Sequence, residues 1–120
     1  FLGHQPRDAL FALYRGAQAV IVPSWWHEPF GMIAIEAWAA STPVIARRAG
    51  ALEELVRTSG GGILYEDEAG LREAIRSLEN NPRMRDQLAA RGHAAFRAQW
   101  TEEKHLERYF ALLAQLGVSP

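Results

Sequence analysis

The sequence predicts an α/β fold, a parallel β-sheet with helices on both faces followed by a helical tail. Three observations carry that expectation. Short apolar runs with β-branched residues, "QAVIVPS", "PVIA" and "GGILY", alternate with segments whose apolar residues recur at helical spacing, the arrangement of βαβ units. The runs are apolar without alternation, as strands covered on both faces are. Beyond Pro82 no such run occurs, and helical spacing alone continues.

Taken in order, residues 1–3 read as the tail of a strand and "GHQP" as the turn after it. Pro6 suits a helix opening, where its missing N–H would have no partner anyway. Ala9, Leu10, Leu13 and Tyr14 then recur at helical spacing as far as Gly16. The run closed by Pro23 is a strand. The stretch of residues 24–41 supplies a helix with the glycine of "PFG" at its start and "STP" at its end, "PVIA" is the next strand, and "EELV" is a short helix after Gly50. "GGGILY" is a strand entered through glycines, which makes four parallel strands with residues 1–3. Leu71, Ala74, Ile75 and Leu78 mark an amphipathic helix that "ENNP" ends. Residues 83–99 form an arginine-rich helix with a thin apolar side of Leu88, Ala89, Ala95 and Phe96. Trp100 interrupts it, and Thr101 caps a last helix with Glu102 and Glu103 in its first turn, where the helix dipole favours acids. Leu106, Tyr109, Phe110, Leu113 and Leu116 form one stripe, and Gly117 stops it.

The totals exclude several classes. At 120 residues, 48% hydrophobic and 22% charged, the composition is that of one globular domain. A net charge of −1 gives no general attraction to nucleic acid or to an anionic membrane. The arginines of residues 83–97 stand among acids and read as a solvated face, so no nucleic-acid partner is expected. Cysteine is absent, which removes disulfides and thiolate metal sites and agrees with a reducing compartment. A cytoplasmic location, extending to the inner face of the membrane, is the expectation. All but Lys104 of the 13 basic residues are arginine, a bias that reads as genome composition before function. The chain opens without methionine inside what reads as a strand, so residues 1–120 are expected to be a single partial domain of a longer polypeptide, with 81–120 as its helical tail.

The chemistry concentrates in residues 24–41, "SWWHEPFGMIAIEAWAAS". From Pro29 onward every side chain is apolar or small except Glu36. Burying an ionised carboxylate without a partner costs several kcal/mol. Glu36 therefore pairs internally, with Arg47 or Arg48, or faces a polar cleft. Gly31 at the helix start lets backbone approach a ligand closely. The free N–H groups of the first turn, from Gly31 through Met32 and Ile33 to Ala34, offer an anion site. In open parallel sheets such helix starts lie at the carboxyl ends of strands, where ligands bind. Glu36, one to two turns on, is within reach of hydroxyls attached to that anion. A phosphate at the amides with a sugar diol at the carboxylate is the chemistry of a nucleotide. Glu28, just outside the helix, can accept from hydroxyls on the other side of the phosphate.

These residues also carry a resemblance. "PSWWHEPFGMIAIEAWAASTPVIARRAGALEELV" resembles the signature of the retaining glycosyltransferases of the GT-B fold, in the large family called family 4, or group 1. The matching positions are Glu28, Phe30-Gly31, Glu36-Ala37, Ala39, the "PVIA" run, Gly50 and Glu54, with agreement in "FLGHQPRDALFALYRGAQAVIVPS", "GGILY" and Trp100. The resemblance implies a Rossmann-like C-terminal domain that binds a nucleotide-diphosphate sugar. It implies that Glu36 binds the ribose hydroxyls, and that amides after Phe30, those of Gly31, Met32 and Ile33, hold the donor's sugar and diphosphate. Glu28 would contact the transferred sugar and stabilise charge near the anomeric carbon, without acting as a nucleophile. His4 and Gln5 would sit near the base. No metal and no cofactor beyond the donor itself is implied. The family's usual glycine before Thr-Pro is Ser41 here. The first part of the donor domain, with its diphosphate-gripping Arg and Lys, and the acceptor-binding N-terminal domain are not in these residues. The partners implied are thus a nucleotide-sugar donor, an acceptor (a sugar, a lipid-linked or a small molecule) and that N-terminal domain. The apolar stripe of the last helix would pack on it or self-associate, and the fragment alone would be silent.

Two rival readings stand beside this one. A sugar-nucleotide epimerase shares the fold, although the "EPFG" spacing speaks against it. A receiver-like or other α/β binding module would have Glu36 paired with Arg47 or Arg48 and a filled groove above Gly31. Among single residues, His27, His93 and His105 read as surface histidines, and Trp25 and Trp26 as packing at a strand end.

Overall fold

The computed structural model describes residues 1–118; the last two residues of the expected 81–120 tail lie outside them. The elements run α1 (Arg7–Gly16), β1 (Val20–Val22), α2 (Met32–Ala39), β2 (Val44–Arg47), α3 (Ala51–Ser59), β3 (Gly62–Tyr65), α4 (Glu68–Asn80), α5 (Pro82–Gln99) and α6 (Glu102–Gln115). The three strands form one parallel sheet in the order β1-β2-β3, with Val20 opposite Val44 and Val44 opposite Gly62.

Strand β2 is central, and its side chains alternate between two cores as the period of two requires. Val44 and Ala46 join Val22, Ala34, Ile35, Ala37, Trp38, Leu52 and Val56 on the face covered by α2 and α3. Ile45 points the other way, to Tyr65, Ala74, Leu78 and Leu88, beneath α4 and the start of α5. Helices therefore cover both faces, as the unbroken apolar runs predicted.

The expected fourth strand is not formed. Residues 1–3 have no regular structure, and Phe1 and Leu2 are exposed. A strand exists only through its ladder, and among the described residues no strand lies alongside to accept theirs. Pro6 also sits one position earlier than anticipated. It is the N-cap, φ −63° and ψ 155°, and its carbonyl accepts the Leu10 N–H at 3.0 Å.

The helix caps follow the sequence closely. Asp67 accepts from the Gly70 N–H at 2.8 Å and Asn81 from Met84 N–H at 2.9 Å. Thr101 accepts from Lys104 N–H. Helix α2 ends in a Schellman motif: Thr42 N–H bonds to the Ala37 carbonyl at 2.9 Å and Ser41 N–H to that of Trp38 at 3.0 Å. The motif forces Ser41 to φ 59°, the one non-glycine at positive φ among the described residues. That explains why the resembling sequences place glycine at this point.

Trp38 is the tightest point of the core. It is fully buried, and its Nε1 donates to the Gly61 carbonyl at 2.9 Å. Trp100 stacks on it with ring centroids 5.5 Å apart. Helix α5 crosses here because Gly92 has no side chain; a Cβ there would collide with the Trp38 ring. His93, expected at the surface, is half-buried instead, its Nδ1 lying 3.1 Å from the Trp38 carbonyl. Helix α6 packs on α5 and leaves Tyr109, Phe110, Leu112 and Leu116 exposed, so its stripe is uncovered here.

Two stability measurements follow from this packing. Gly92→Ala is expected to lower unfolding free energy by about 1–3 kcal/mol, since the new methyl must displace a ring with no free volume; urea denaturation reads this directly. Ser41→Gly is expected to raise it by about 1 kcal/mol, because glycine adopts the left-handed region without steric cost, and thermal unfolding would show the gain.

Candidate functional site

The site is built on the first turn of α2, at the carboxyl end of β1. Gly31, its N-cap, has φ 79° and ψ 43°, a conformation that L side chains rarely adopt. A Cβ there would also lie 2.8 Å from Leu55 Cδ1 and 3.1 Å from Leu52 Cδ2. Glycine is thus required twice, by conformation and by packing against α3. No side chain caps the helix. The Ala34 N–H turns back to the Gly31 carbonyl at 3.0 Å, so the amides offered to a ligand narrow to those of Met32 and Ile33. The side chains of Phe30, Met32 and Ile33 stand about half exposed around them.

Glu28 is half-buried and accepts a hydrogen bond from Ser24 Oγ at 2.9 Å. Its carbonyl accepts the Ala51 N–H at 2.9 Å, tying the loop to the start of α3. Gly50 makes this approach possible. At φ 54° a Cβ would stand 2.7 Å from the Glu28 nitrogen and 2.8 Å from its oxygen. The glycine of the "GxxxE" pattern thus acts by locating Glu28, while Glu54 is exposed.

Glu36 is half-buried, one turn inside the helix from Met32. It is not paired with Arg47 or Arg48. Arg48 bonds Glu66 at 2.8 Å and approaches Glu53 at 3.8 Å, and the Arg47 guanidinium lies 3.8 Å from the centre of the Trp25 ring. Helix α1, which carries Tyr14, packs against α2. Burial, then the negative charge of Glu36 and a hydrogen bond to it, push the Tyr14 phenol above its ordinary value of 10.0. Helical spacing had marked Tyr14 only as one residue of an apolar face, and nothing in the sequence indicated which carboxylate it meets.

The first turn of α2 stands between two open grooves. One, of about 410 Å³, is lined by Ser24, Trp26, Glu28 and Ile33; the other, of about 390 Å³, by Phe30, Met32, Trp100, Glu102, His105 and Arg108. Gly31 itself is buried and lines neither groove. Trp25 and Trp26 do not pack at the strand end as anticipated. Both are exposed, since the loop carries them outward past Pro23, and the Arg47 guanidinium lies over the Trp25 ring.

The structure thus gathers Glu28, Phe30, Gly31, Met32, Ile33 and Glu36 around one helix start. His4 and Gln5 lie before α1 and share no hydrogen bond with that group among the described residues. Gln5 Nε2 donates to the Leu2 carbonyl at 2.7 Å, and His4 is exposed, as is His27. Among the described residues, no cluster of three His, Asp or Glu could hold a metal ion, and no helix is long and apolar enough to cross a membrane.

Residues 1–95 match the family described as "Glycosyl transferases group 1". The D-inositol 3-phosphate glycosyltransferase of Nocardia farcinica is 40% identical over 118 residues, covering 94% of this chain and 26% of that protein. The glycogen synthase of Mycobacterium tuberculosis is 40% identical over 84 residues, covering 68% of this chain and 20% of that protein. Among solved structures, the sucrose-phosphate synthase of Thermosynechococcus elongatus superposes with a TM-score of 0.87 at 33% identity, covering 97% of this chain and 29% of that one. The chain thus spans between a fifth and three-tenths of the length of these relatives. Its sheet and helices match the Rossmann-like domain of the GT-B fold. The chain belongs to the group 1 glycosyl transferases.

Proposed function

We propose that this chain is a single partial domain supplying part of the donor site of a retaining, family 4 glycosyltransferase. The reaction is transfer of a sugar from a nucleotide-diphosphate donor to an acceptor with retention of anomeric configuration. The observation that carries the reading is Glu36: a half-buried carboxylate with no salt bridge among the described residues, one turn inside a helix whose first amides have no side-chain cap.

In this reading the Met32 and Ile33 amides and the α2 dipole hold the donor's sugar and diphosphate. Glu36 accepts from the two ribose hydroxyls, and the turn of His4 and Gln5 lies beside the base. Ser24 fixes the Glu28 carboxylate, which contacts the transferred sugar and stabilises positive charge developing at the anomeric carbon. The bond from that carbon to the diphosphate oxygen breaks, its electron pair leaving with the diphosphate. The acceptor hydroxyl attacks from the same face and gives its proton to the departing oxygen. Glu28 forms no covalent intermediate, unlike the nucleophile of a retaining glycosidase. The remaining grip on the diphosphate, and the acceptor site, belong to other parts of a longer polypeptide. These residues alone are then catalytically silent. No metal is required, and the enzyme works in the cytoplasm or at the inner membrane face.

The test is isothermal calorimetry of UDP, GDP and ADP against the longer polypeptide and its Glu36→Ala variant. One nucleotide should bind the parent and bind the variant at least about tenfold more weakly, roughly 1.4 kcal/mol. Equal binding by the variant, or no binding by a folded parent, overturns the reading.

A further inference from the structure

A further pocket, of about 360 Å³, opens at the carboxyl ends of the three strands. Pro23, Trp25, Tyr65 and Leu71 are among its walls, and Arg47 is its one basic residue. We infer that this pocket is a subsite for an oxyanion, a phosphate or carboxylate group carried by the acceptor, with the Arg47 guanidinium as its ligand. The inference rests on the donor reading above. It gives these residues one contact with the acceptor, whose main site lies elsewhere in the longer polypeptide.

The charges around the pocket leave Arg47 free. Three acids line it, Glu66, Asp67 and Glu68, and each is engaged elsewhere. Glu66 bonds Arg48 at 2.8 Å, Asp67 accepts from the Gly70 N–H at 2.8 Å as the cap of α4, and Glu68 pairs with Arg72 one turn on. Arg47 has no salt bridge among the described residues. Its partner is the Trp25 ring, whose centre lies 3.8 Å from the guanidinium carbon. An aromatic face attracts a guanidinium through its quadrupole and accepts none of its charge. The N–H fork that matches phosphate or carboxylate oxygens in pairs is therefore unclaimed by any acid. Arg47 is also half-buried, so an anion meeting it is less screened than at a fully solvated arginine.

Position ties the pocket to the acceptor rather than the donor. Pro23 and Trp25 line both this pocket and the groove that holds Ser24 and Glu28. The indole is thus a wall shared by the two. A molecule presenting a hydroxyl in the Glu28 groove can extend an anionic group past that indole to Arg47. The donor's own diphosphate lies, in the reading above, at the first amides of α2, and no residue of α2 lines this pocket. The two anions therefore have separate places, and an acceptor without a charged group would leave Arg47 unused.

The experiment offers a small anion to the pocket with the donor site already filled. The longer polypeptide, labelled with fluorotryptophan, is saturated with the nucleoside diphosphate it binds, then titrated with inorganic phosphate and, separately, with acetate. Fluorine NMR follows the Trp25 signal, assigned by its absence from the Trp25→Phe variant. At least one anion is expected to shift that signal saturably, and the tighter of the two names the group the pocket takes. Arg47→Gln is expected to weaken this binding about tenfold or more and to leave nucleoside diphosphate affinity as in the parent, which also shows that the variant is folded. In the transfer assay the same anion should compete with the acceptor and not with the donor. A Trp25 signal that neither anion moves overturns the inference, as does anion binding that survives Arg47→Gln. Equal loss of the nucleoside diphosphate, or competition with the donor, would assign Arg47 to the donor and overturn it too. If no nucleotide binds a folded parent, the donor reading fails and the acceptor role falls with it. If nucleotide binds while Trp25 stays silent, only the subsite fails.

Discussion

Everything near the site depends on how Trp38 is housed. Burying one indole removes roughly 200 Å² from water and contributes about 5 kcal/mol, provided that the N–H finds an acceptor and no void surrounds the ring. The Gly61 carbonyl supplies the acceptor, and the bare backbones of Gly61 and Gly92 close the slot. A tryptophan on α2 is thereby clamped between β3 and α5. Trp100, stacked on Trp38, fixes the corner from which α6 departs. The first turn of α2 cannot shift relative to the sheet without moving that ring. A helix start that must present amides at fixed positions is therefore anchored by hydrophobic packing one to two turns further along.

The mouth itself is organised by backbone, where the fold has removed side chains. Gly31 lets the chain enter α2 from the left-handed region while Leu52 and Leu55 press against it. Gly50 brings the β2–α3 connection onto the Glu28 backbone, and the Ala51 amide closes the contact. Two segments distant in sequence thus meet, with the Ala51 amide on the Glu28 carbonyl, and the Glu28 side chain is left with Ser24 as its partner. Preorganisation of this kind adds nothing to the core. It lowers the reorganisation needed when charge develops nearby.

Much of this was legible in the sequence, and the parts that were not share a cause. Periodicity and composition identified the βαβ order, the apolar all-round α2 with its single acid, and the cap at Thr101, because each of those signals is local. The expected strand at residues 1–3 failed because a strand is defined by its neighbour, and composition cannot say whether one is present. His93 looked like a surface histidine because helical spacing gives its direction but not the helix it meets, here α2 at the Trp38 carbonyl. Tyr14 was hidden for the same reason. Gly50 was recognisable as part of a pattern, yet its task of admitting the Glu28 backbone appears only when the two loops are brought together. Ser41 is the reverse case. Its positive φ gives a physical reason for the glycine that the resembling sequences carry.

The distribution of charge around the sheet's carboxyl end follows from these placements. Arg47 ends β2 and Arg48 follows it directly. Strand pleating turns successive side chains to opposite faces. Arg48 bonds Glu66, at the end of β3, and approaches Glu53 on α3, while Arg47 lies over Trp25. A partly buried carboxylate left without a cation must then find hydrogen bonds or face water. Glu36 is half-buried and has no salt bridge among the described residues. The same alternation that builds the two cores thus leaves the one acid of α2 without a cation, on a helix whose first turn stands between two grooves large enough for a small molecule.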